Sequence, residues 1–186
     1  MRAAVAGLVL ACSACAAPAA AAAAPRGSAA CPGANLQPTA ADLQAIDAAT
    51  LCLVDRMRAT AHVRAVRVNR ELGRLAADQV GLMVRMNYFA DVRPSGQTPL
   101  SLVVESRYPS KAARVSVGQN IAWATGRYAT PAMVVTAWMA SPPHREIMLD
   151  GEYRDAGVAV TPAIPPMIGQ GDGGATYAIL FGVRLH

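Results

Sequence analysis

The sequence is poor in the features that mark nucleic-acid-binding proteins. It contains a single lysine, Lys111, its arginines are scattered singly, and aromatic residues make up only 5% of the chain. The formal net charge of +5 includes Arg2 and Arg26, which lie in a segment that we expect to be removed. Affinity for nucleic acid depends on clustered cationic groups that neutralise phosphates. We therefore expect no nucleic-acid partner.

Long apolar runs are also absent after the amino-terminal segment, and a membrane helix needs about 20 such residues. The segment itself has Arg2, an apolar run from Ala3 to Ala11 and an alanine-rich tract, which is the order of a secretory signal peptide. We expect a signal peptide and linker over residues 1–30, one domain over 31–186, no transmembrane segment and a secreted protein.

An alternative to cleavage is a lipid anchor. The residues Val9-Leu10-Ala11-Cys12 loosely resemble the motif after which a cysteine is lipidated. In that case the protein would remain attached to the membrane through Cys12.

Cysteine is scarce as well, with four in the chain. Cys12 and Cys15 lie in the segment to be removed, which leaves Cys31 and Cys52 as an even pair suited to an oxidising compartment. We predict a disulfide between them that ties the mature amino-terminal arm to the first helix. In the chain-entropy model, a loop of this size contributes on the order of 3 kcal/mol to stability.

Apolar residues at helical spacing, preceded by cap residues, predict four helices. The first begins at the N-cap residue Thr39 and ends near Ala61, and the second begins after Asn69. Thr98-Pro99 and Thr130-Pro131 each place proline after an N-cap residue, which predicts the other two. The residues expected on buried faces are Leu43, Ile46, Leu53, Val54 and Met57, then Leu72, Leu75, Ala76, Met83 and Met86, then Leu100, Val103 and Val104, then Met133, Val134, Ala137 and Trp138.

Three segments have the composition of strands: 115–124, 158–160 and 176–183. The last two are joined by a Pro- and Gly-rich loop over 161–174, which is long for a hairpin and expected to be mobile. Helices that precede strands, with a terminal hairpin, predict an α+β fold with an antiparallel sheet packed on helices.

Five motifs occur in an order that resembles a known family. They are the runs Leu51 to Ala59, Asn87-Tyr88-Phe89, Gly118-Gln119-Asn120-Ile121-Ala122, Ala137 to Arg145 and Gly157-Val158-Ala159-Val160. The likeness extends from about Leu51 to Phe181 and is to the bacterial branch of the CAP superfamily of cysteine-rich secretory, antigen-five and pathogenesis-related proteins, whose module is also called the SCP domain.

The resemblance implies a three-layer α-β-α sandwich with a central antiparallel sheet and a cleft. In many members the cleft carries two histidines and one or two glutamates that can hold a divalent metal. Functions attributed to relatives include lipid or sterol binding, cell-wall association and protein interaction, and proteolysis has been proposed for some.

Position by position, most of the cleft residues differ in this chain. Asp91 stands where the family often has the first cleft histidine, and Gln119 stands where it has glutamate. Gln79 replaces a histidine of the second helix, and Ser141 replaces a glutamate found in eukaryotic relatives. Only His144 matches. We expect these residues to form one degenerate cleft.

The remaining residue types limit the chemistry of that cleft. A zinc site needs three or four good ligands, and His144 with Asp91 supplies two at most, so we expect no metal and no cofactor. Catalysis would use His144 as a base oriented by Asp91, with Ser141 as a nucleophile. Ser141 is also placed to cap a short helix that begins near His144.

Each of two cleft residues has a structural interpretation beside the functional one. Gln79 either bonds a nearby backbone group at the edge of the buried stripe or points into the same cleft as His144. His144 either anchors a turn through hydrogen bonds or acts as a base.

The sequence therefore predicts a secreted, monomeric CAP-domain protein that is not an enzyme. It would act as a binding or interaction module outside the cell or at its surface, toward an extracellular or cell-wall ligand, with a lipid as one candidate. The alternatives are a secreted hydrolase of cell-wall or protein substrates that uses His144, and a lipid- or sterol-binding protein.

Overall fold

The computed structural model describes residues 30–109, 114–169 and 173–185. The expected signal peptide and the lipidation site at Cys12 lie outside these ranges. Within them, no helix has the length and apolar character needed to cross a membrane. The helices and strands of the described ranges, in chain order, are α1 (Leu43–Thr60), β1 (Arg67–Val68), α2 (Arg70–Arg85), α3 (Pro99–Val104), β2 (Arg114–Thr125), a 3-10 helix (Gly126–Ala129), α4 (Pro131–Ala140), α5 (Pro142–Leu149), β3 (Asp155–Thr161) and β4 (Gly174–Leu185).

The four strands form one sheet in the order β1-β3-β4-β2. The three long strands pair antiparallel, with Gln119 opposite Leu180 and Val158 opposite Ile179. The strand β1 pairs parallel with β3 and was not predicted. Because β1 has two residues, it is too short to show the alternation that marks a strand. The predicted antiparallel sheet is confirmed for the three long strands, and the parallel pair that β1 adds at one edge makes the whole sheet mixed.

Helices cover both faces of the sheet. On one face α1, α4 and α5 pack through Ile46, Val54, Trp138 and Met148, and on the other face α2 and α3 pack through their own buried side chains. Alternate residues of each strand point to opposite faces. The predicted α+β fold with a sheet between helices is confirmed.

The predicted helix starts hold for three of the four helices. Asn69 Oδ1 accepts hydrogen bonds from the Glu71 and Leu72 amides, and Thr98 and Thr130 cap α3 and α4 with proline following. The predicted cap at Thr39 is wrong. The helix α1 begins after Asp42, and the Thr39 hydroxyl donates to the Asp42 carboxylate at 2.6 Å.

Five residues expected on buried faces are exposed, namely Met86, Leu100, Val104, Met133 and Ala137. In α4 the buried face carries Val134, Val135 and Trp138, and Met133 and Ala137 lie outside it. Met86 lies just after the last helical residue of α2, where the periodicity no longer applies. The helix α3 has six residues and buries Leu102 and Val103 instead. So short a helix has too few residues for sequence periodicity to fix which face is buried.

The amino-terminal arm is fixed to the domain. The predicted disulfide between Cys31 and Cys52 is present, with the two Cα atoms 5.8 Å apart. The Ala132 amide, which lies in the first turn of α4 and has no helical partner there, donates to the Ala34 carbonyl at 2.8 Å. The arm is thus bound to both α1 and α4.

The loop between β3 and β4 is also anchored, over the part that the structure describes. The Thr176 hydroxyl donates to the Ala163 carbonyl at 2.7 Å, and the Met167 amide donates to Asn87 Oδ1 just after α2. Residues 170–172 of this loop lie outside the described ranges. The anchored part of the loop lies beside the segment that follows α2.

Backbone packs directly on backbone where α2 crosses β3. A Cβ built on Gly157 would lie 2.0 Å from the Gly73 nitrogen and 2.3 Å from the Leu72 carbonyl carbon. The same test on Gly73 finds nothing closer than 3.8 Å. Glycine is therefore required at 157 for close approach and is not required at 73.

Arg58 is a fully buried cation in the opposite layer. Its guanidinium donates to the carbonyls of Arg64, Met148 and Asp150 at 2.7–3.0 Å. These bonds join the end of α1 to the end of α5, where helix carbonyls lack partners. Arg58 therefore fixes the position of α5 against the sheet.

The close approach at Gly157 predicts opposite effects for two substitutions. Gly157→Ala should lower the free energy of unfolding by about 3 kcal/mol, at the upper end for overpacking, because the new methyl meets helix backbone. Gly73→Ala is the matched control and should leave stability unchanged or raise it by up to about 1 kcal/mol, since alanine favours a helix. Urea unfolding measures both. Equal destabilisation by the two substitutions would show that close approach at Gly157 is not the cause.

The buried carboxyl of Asp47 predicts a dependence of stability on pH. Burial raises the pKa of Asp47 to about 7, against the opposing effect of a backbone hydrogen bond at Val160. Because the folded pKa exceeds the unfolded one, this group's stabilising contribution is complete below about pH 4 and is lost as the pH rises through 7. Asp47→Asn should therefore gain stability relative to the original protein between pH 5 and pH 8.

Chemical unfolding at several pH values measures the Asp47→Asn difference. The control is Asp78→Asn, which alters an exposed carboxylate paired with Arg74. A difference for Asp47→Asn that stays constant from pH 5 to pH 8 would show that this carboxyl does not titrate in that range.

Candidate functional site

Asp91 and Gln119 are in direct contact. Gln119 Nε2, on the buried side of β2, donates to Asp91 Oδ1 at 2.9 Å. Asp91 itself lies in the exposed segment after α2. This hydrogen bond joins β2, an edge strand of the sheet, to the loop after α2.

Gln79 holds the same loop from the side of α2. Its Nε2 donates to the Ala90 carbonyl at 2.9 Å, and its Oε1 accepts from Arg93 Nε at 3.0 Å. Gln79 is 1% exposed, so its amide is satisfied inside the protein. The structure therefore matches the interpretation in which Gln79 bonds a nearby backbone group, and it places Gln79 beside Asp91.

Two residues that were not predicted to belong to the cleft, Tyr88 and Arg93, complete this cluster. Arg93 Nη2 and the Tyr88 hydroxyl are buried and have no hydrogen-bond partner among the described residues. Burial raises the pKa of Tyr88, and the nearby charge of Arg93 opposes that effect. Arg93 lies two residues after Asp91, at the start of the turn-forming sequence Arg93-Pro94-Ser95-Gly96. This closeness in sequence to Asp91 could have indicated that Arg93 belongs to the cluster. The cluster of Gln79, Tyr88, Asp91, Arg93 and Gln119 is rich in hydrogen-bond donors.

His144 lies in a second group of contacts. Its ring nitrogen Nδ1 is 2.7 Å from the Ser141 hydroxyl, and its backbone carbonyl accepts from Asn120 Nδ2 at 2.9 Å. Ser141 occupies the N-cap position of α5 as expected, but its side chain bonds the histidine ring and makes no capping bond. His144 is therefore tied to the turn before α5.

The two groups lie on opposite faces of the sheet. Gln119 shares the face of Val117 and Ile121, which pack with α2, whereas Asn120 shares the face of Ala122, which packs with α4 and α5. In the part of the chain that the structure describes, no hydrogen bond joins Asp91 to His144. The arrangement therefore does not form a relay from carboxylate to imidazole to hydroxyl.

The donor set does not fit the metal that the family resemblance implies. Gln119 directs its Nε2 toward Asp91, and an amide nitrogen that donates a proton cannot also ligate a cation. The described residues hold no group of three or more histidine, cysteine or carboxylate side chains that could bind one. A zinc site requires three or four such ligands.

Comparison with known proteins bears on the fold. The sequence matches the model of the Cysteine-rich secretory protein (CAP) family over residues 51–163. No curated protein matches it significantly. An outer surface protein from Borrelia burgdorferi superposes with a TM-score of 0.58 at 16% identity, covering 72% of this chain and 89% of that one.

Two further solved structures are similar. An extracellular protein containing an SCP domain from Bacillus anthracis has a TM-score of 0.54 at 18% identity, with 76% of this chain covered. A cysteine-rich secretory protein from Staphylococcus aureus has a TM-score of 0.54 at 14% identity, with 77% covered. The chain spans 40% of the length of each of these two proteins.

These structural likenesses establish the fold, and the family match covers more than half of the sequence, including β2, α4 and α5. On that basis, the chain belongs to the cysteine-rich secretory protein, or CAP, family.

Proposed function

We propose that the protein is a secreted, monomeric, non-catalytic binding module that acts outside the cell or at its surface. The observation that carries this proposal is the 2.9 Å bond from Gln119 Nε2 to Asp91 Oδ1. It commits the carboxylate to an amide, so the cleft beside α2 offers hydrogen-bonding groups in place of metal ligands.

The placement of the histidine supports the same proposal. A general base needs to reach the proton that it removes, and a partner that orients its ring. His144 directs Nδ1 to Ser141 within its own turn, and Asp91 lies with the side chains on the other face of the sheet. A hydrolase that pairs the two would need a hydrogen bond from the imidazole to the carboxylate, and the described residues show none.

The similar proteins support the location. Two are described as an outer surface protein and an extracellular protein, and the third as a secretory protein. A disulfide in the described domain fits an oxidising compartment as well. An extracellular or cell-wall ligand is therefore the partner that we propose.

The first test of this function is binding without turnover. The purified protein should sediment with isolated bacterial cell walls and release no soluble fragments, and it should leave casein intact. Zinc or calcium should shift its melting temperature by less than about 1 °C, because only a ligand that binds the native state stabilises it. Calorimetric melting and fragment analysis measure these outcomes.

His144→Ala is the matched variant for that test and should behave as the original protein does. Cleavage that disappears in this variant would establish the hydrolase, and a metal-dependent rise of several degrees that disappears in it would establish a metal site. Binding to sterol-containing vesicles in place of cell walls would establish the lipid-binding alternative.

The contact between Gln119 and Asp91 gives a second prediction. Gln119→Glu should lower the free energy of unfolding by about 1–2 kcal/mol at pH 7, because two carboxylates in contact cannot both be ionised without repulsion. The loss should be smaller at pH 4, where one carboxyl keeps its proton. Urea unfolding at the two pH values measures the difference.

The rescue variant for that prediction exchanges the two groups. Adding Asp91→Asn to Gln119→Glu again places an amide donor against a carboxylate, and most of the lost stability should return. If the double variant were as unstable as Gln119→Glu alone, the hydrogen bond would not be the cause.

A further inference from the structure

A cavity lies away from the Asp91 and Gln119 cluster, between the amino-terminal arm, the 3-10 helix and the start of α4. Its volume is about 560 Å³, which is within the usual range of small-molecule sites. The residues that line it are Asn35, Gln37, Arg127, Tyr128, Thr130 and Met133. They come from two segments of the chain, the arm at 35–37 and the continuous stretch 127–133, that the fold brings together.

The walls of this cavity are held in place by covalent and backbone bonds. The disulfide fixes the arm at Cys31, and the bond from the Ala132 amide to the Ala34 carbonyl fixes it next to Asn35. Gly33 has a φ of +81°, which allows the arm to turn between these two anchors. A site whose walls are fixed beforehand loses little entropy on binding.

The polar groups of the cavity are available to a ligand. Among the described residues, the Asn35 and Gln37 side chains have no hydrogen-bond partner in the protein, and Arg127 forms no ion pair. No carboxylate is among the lining residues. An amide both donates and accepts hydrogen bonds, as a sugar hydroxyl does. The site therefore offers hydrogen-bond donors and acceptors suited to a ligand with several hydroxyl groups. It also offers the positive charge of Arg127, which no carboxylate of the lining neutralises.

Tyr128 supplies an aromatic surface beside these groups and is 50% exposed. The Arg127 guanidinium lies 4.9 Å from its ring centroid and donates from Nη2 to its hydroxyl at 2.7 Å. This contact fixes the two side chains relative to each other. The N–H groups of Arg127 that do not bond Tyr128 can still donate to a carboxylate, whose geometry matches that of the planar guanidinium. The negative face of an aromatic ring attracts the C–H groups of a sugar.

We infer that this cavity binds an acidic oligosaccharide, with a sugar ring against Tyr128, hydroxyls at Asn35 and Gln37, and a sugar carboxylate at Arg127. A nucleic acid would require more cationic groups than a single arginine. An acidic peptide would use the charge of Arg127 but would leave the two amides without the paired hydroxyls that suit them. This site does not depend on the proposed function of the cleft.

Calorimetric titration of the purified, disulfide-bonded protein tests the inference with three probes. They are tetragalacturonic acid, the neutral chitotetraose and a hexa-aspartate peptide. The acidic sugar should bind at least tenfold more tightly than either of the others. Arg127→Gln should reduce its affinity to that of the neutral sugar, because the charge is lost while hydrogen bonding remains. Tyr128→Ala should weaken both sugars at least tenfold.

Control variants distinguish this cavity from the cleft and from non-specific attraction to positive charge. Arg107→Gln removes an exposed charge that does not line the cavity, and Asp91→Ala alters the cleft. Neither substitution should change sugar binding. Replacing both Cys31 and Cys52 by serine should weaken binding while cooperative melting persists, since the arm loses its anchor.

Three results would overturn the inference. They are an acidic sugar affinity that Arg127→Gln leaves unchanged, a hexa-aspartate affinity equal to that of the sugar, and an absence of binding at about 5 mM sugar, where a complex with a Kd of about 1 mM would be mostly formed. A loss on Asp91→Ala with no loss on Tyr128→Ala would move sugar binding to the cleft.

Discussion

The distance between α2 and the sheet is set by backbone contact at Gly157. No side chain separates the two elements there, because a single added carbon would lie 2.0 Å from the Gly73 nitrogen. Further along α2, Gln79 reaches the carbonyl of Ala90 and fixes the loop that carries Asp91. If the helix stood further from the sheet, that loop would lose its contact with Gln119. The cleft thus depends on a close approach that contributes no functional group of its own.

The other layer depends on a different constraint. The buried guanidinium of Arg58 binds carbonyls at the end of α5, and those bonds position the whole short helix. His144 lies at the start of that helix, where Asn120 holds its backbone. The environments of His144 and Asp91 are therefore set by separate anchors on separate faces.

Sequence patterns predicted the features that arise from local physical chemistry. Asn69, Thr98 and Thr130 were identified as caps because a short polar side chain can satisfy the first helix amides. The two-residue strand β1 and the buried face of α3 could not be predicted, since both are decided by what they pack against. The site residues were identified through their family positions, but which of Gln119 and Asn120 faces which helix layer is decided by the pairing of β2 with β4 and by the packing on each face. Arg58 was also beyond prediction, because its partners include backbone groups about 90 residues away in the chain.

The replacements in the cleft are complementary. Where the family often has histidine and glutamate, this chain has Asp91 and Gln119, so the acceptor carboxylate and the nitrogen donor have exchanged positions. In this chain the amide donor meets the carboxylate at 2.9 Å, so the Gln119 nitrogen that points to Asp91 donates a proton and offers no lone pair to a cation. If residue 91 could not accept a hydrogen bond, the amide of Gln119, which is only 7% exposed, would lose this partner. An unsatisfied buried amide would destabilise the edge strand. The bond therefore holds the loop after α2 against β2, whatever the cleft binds.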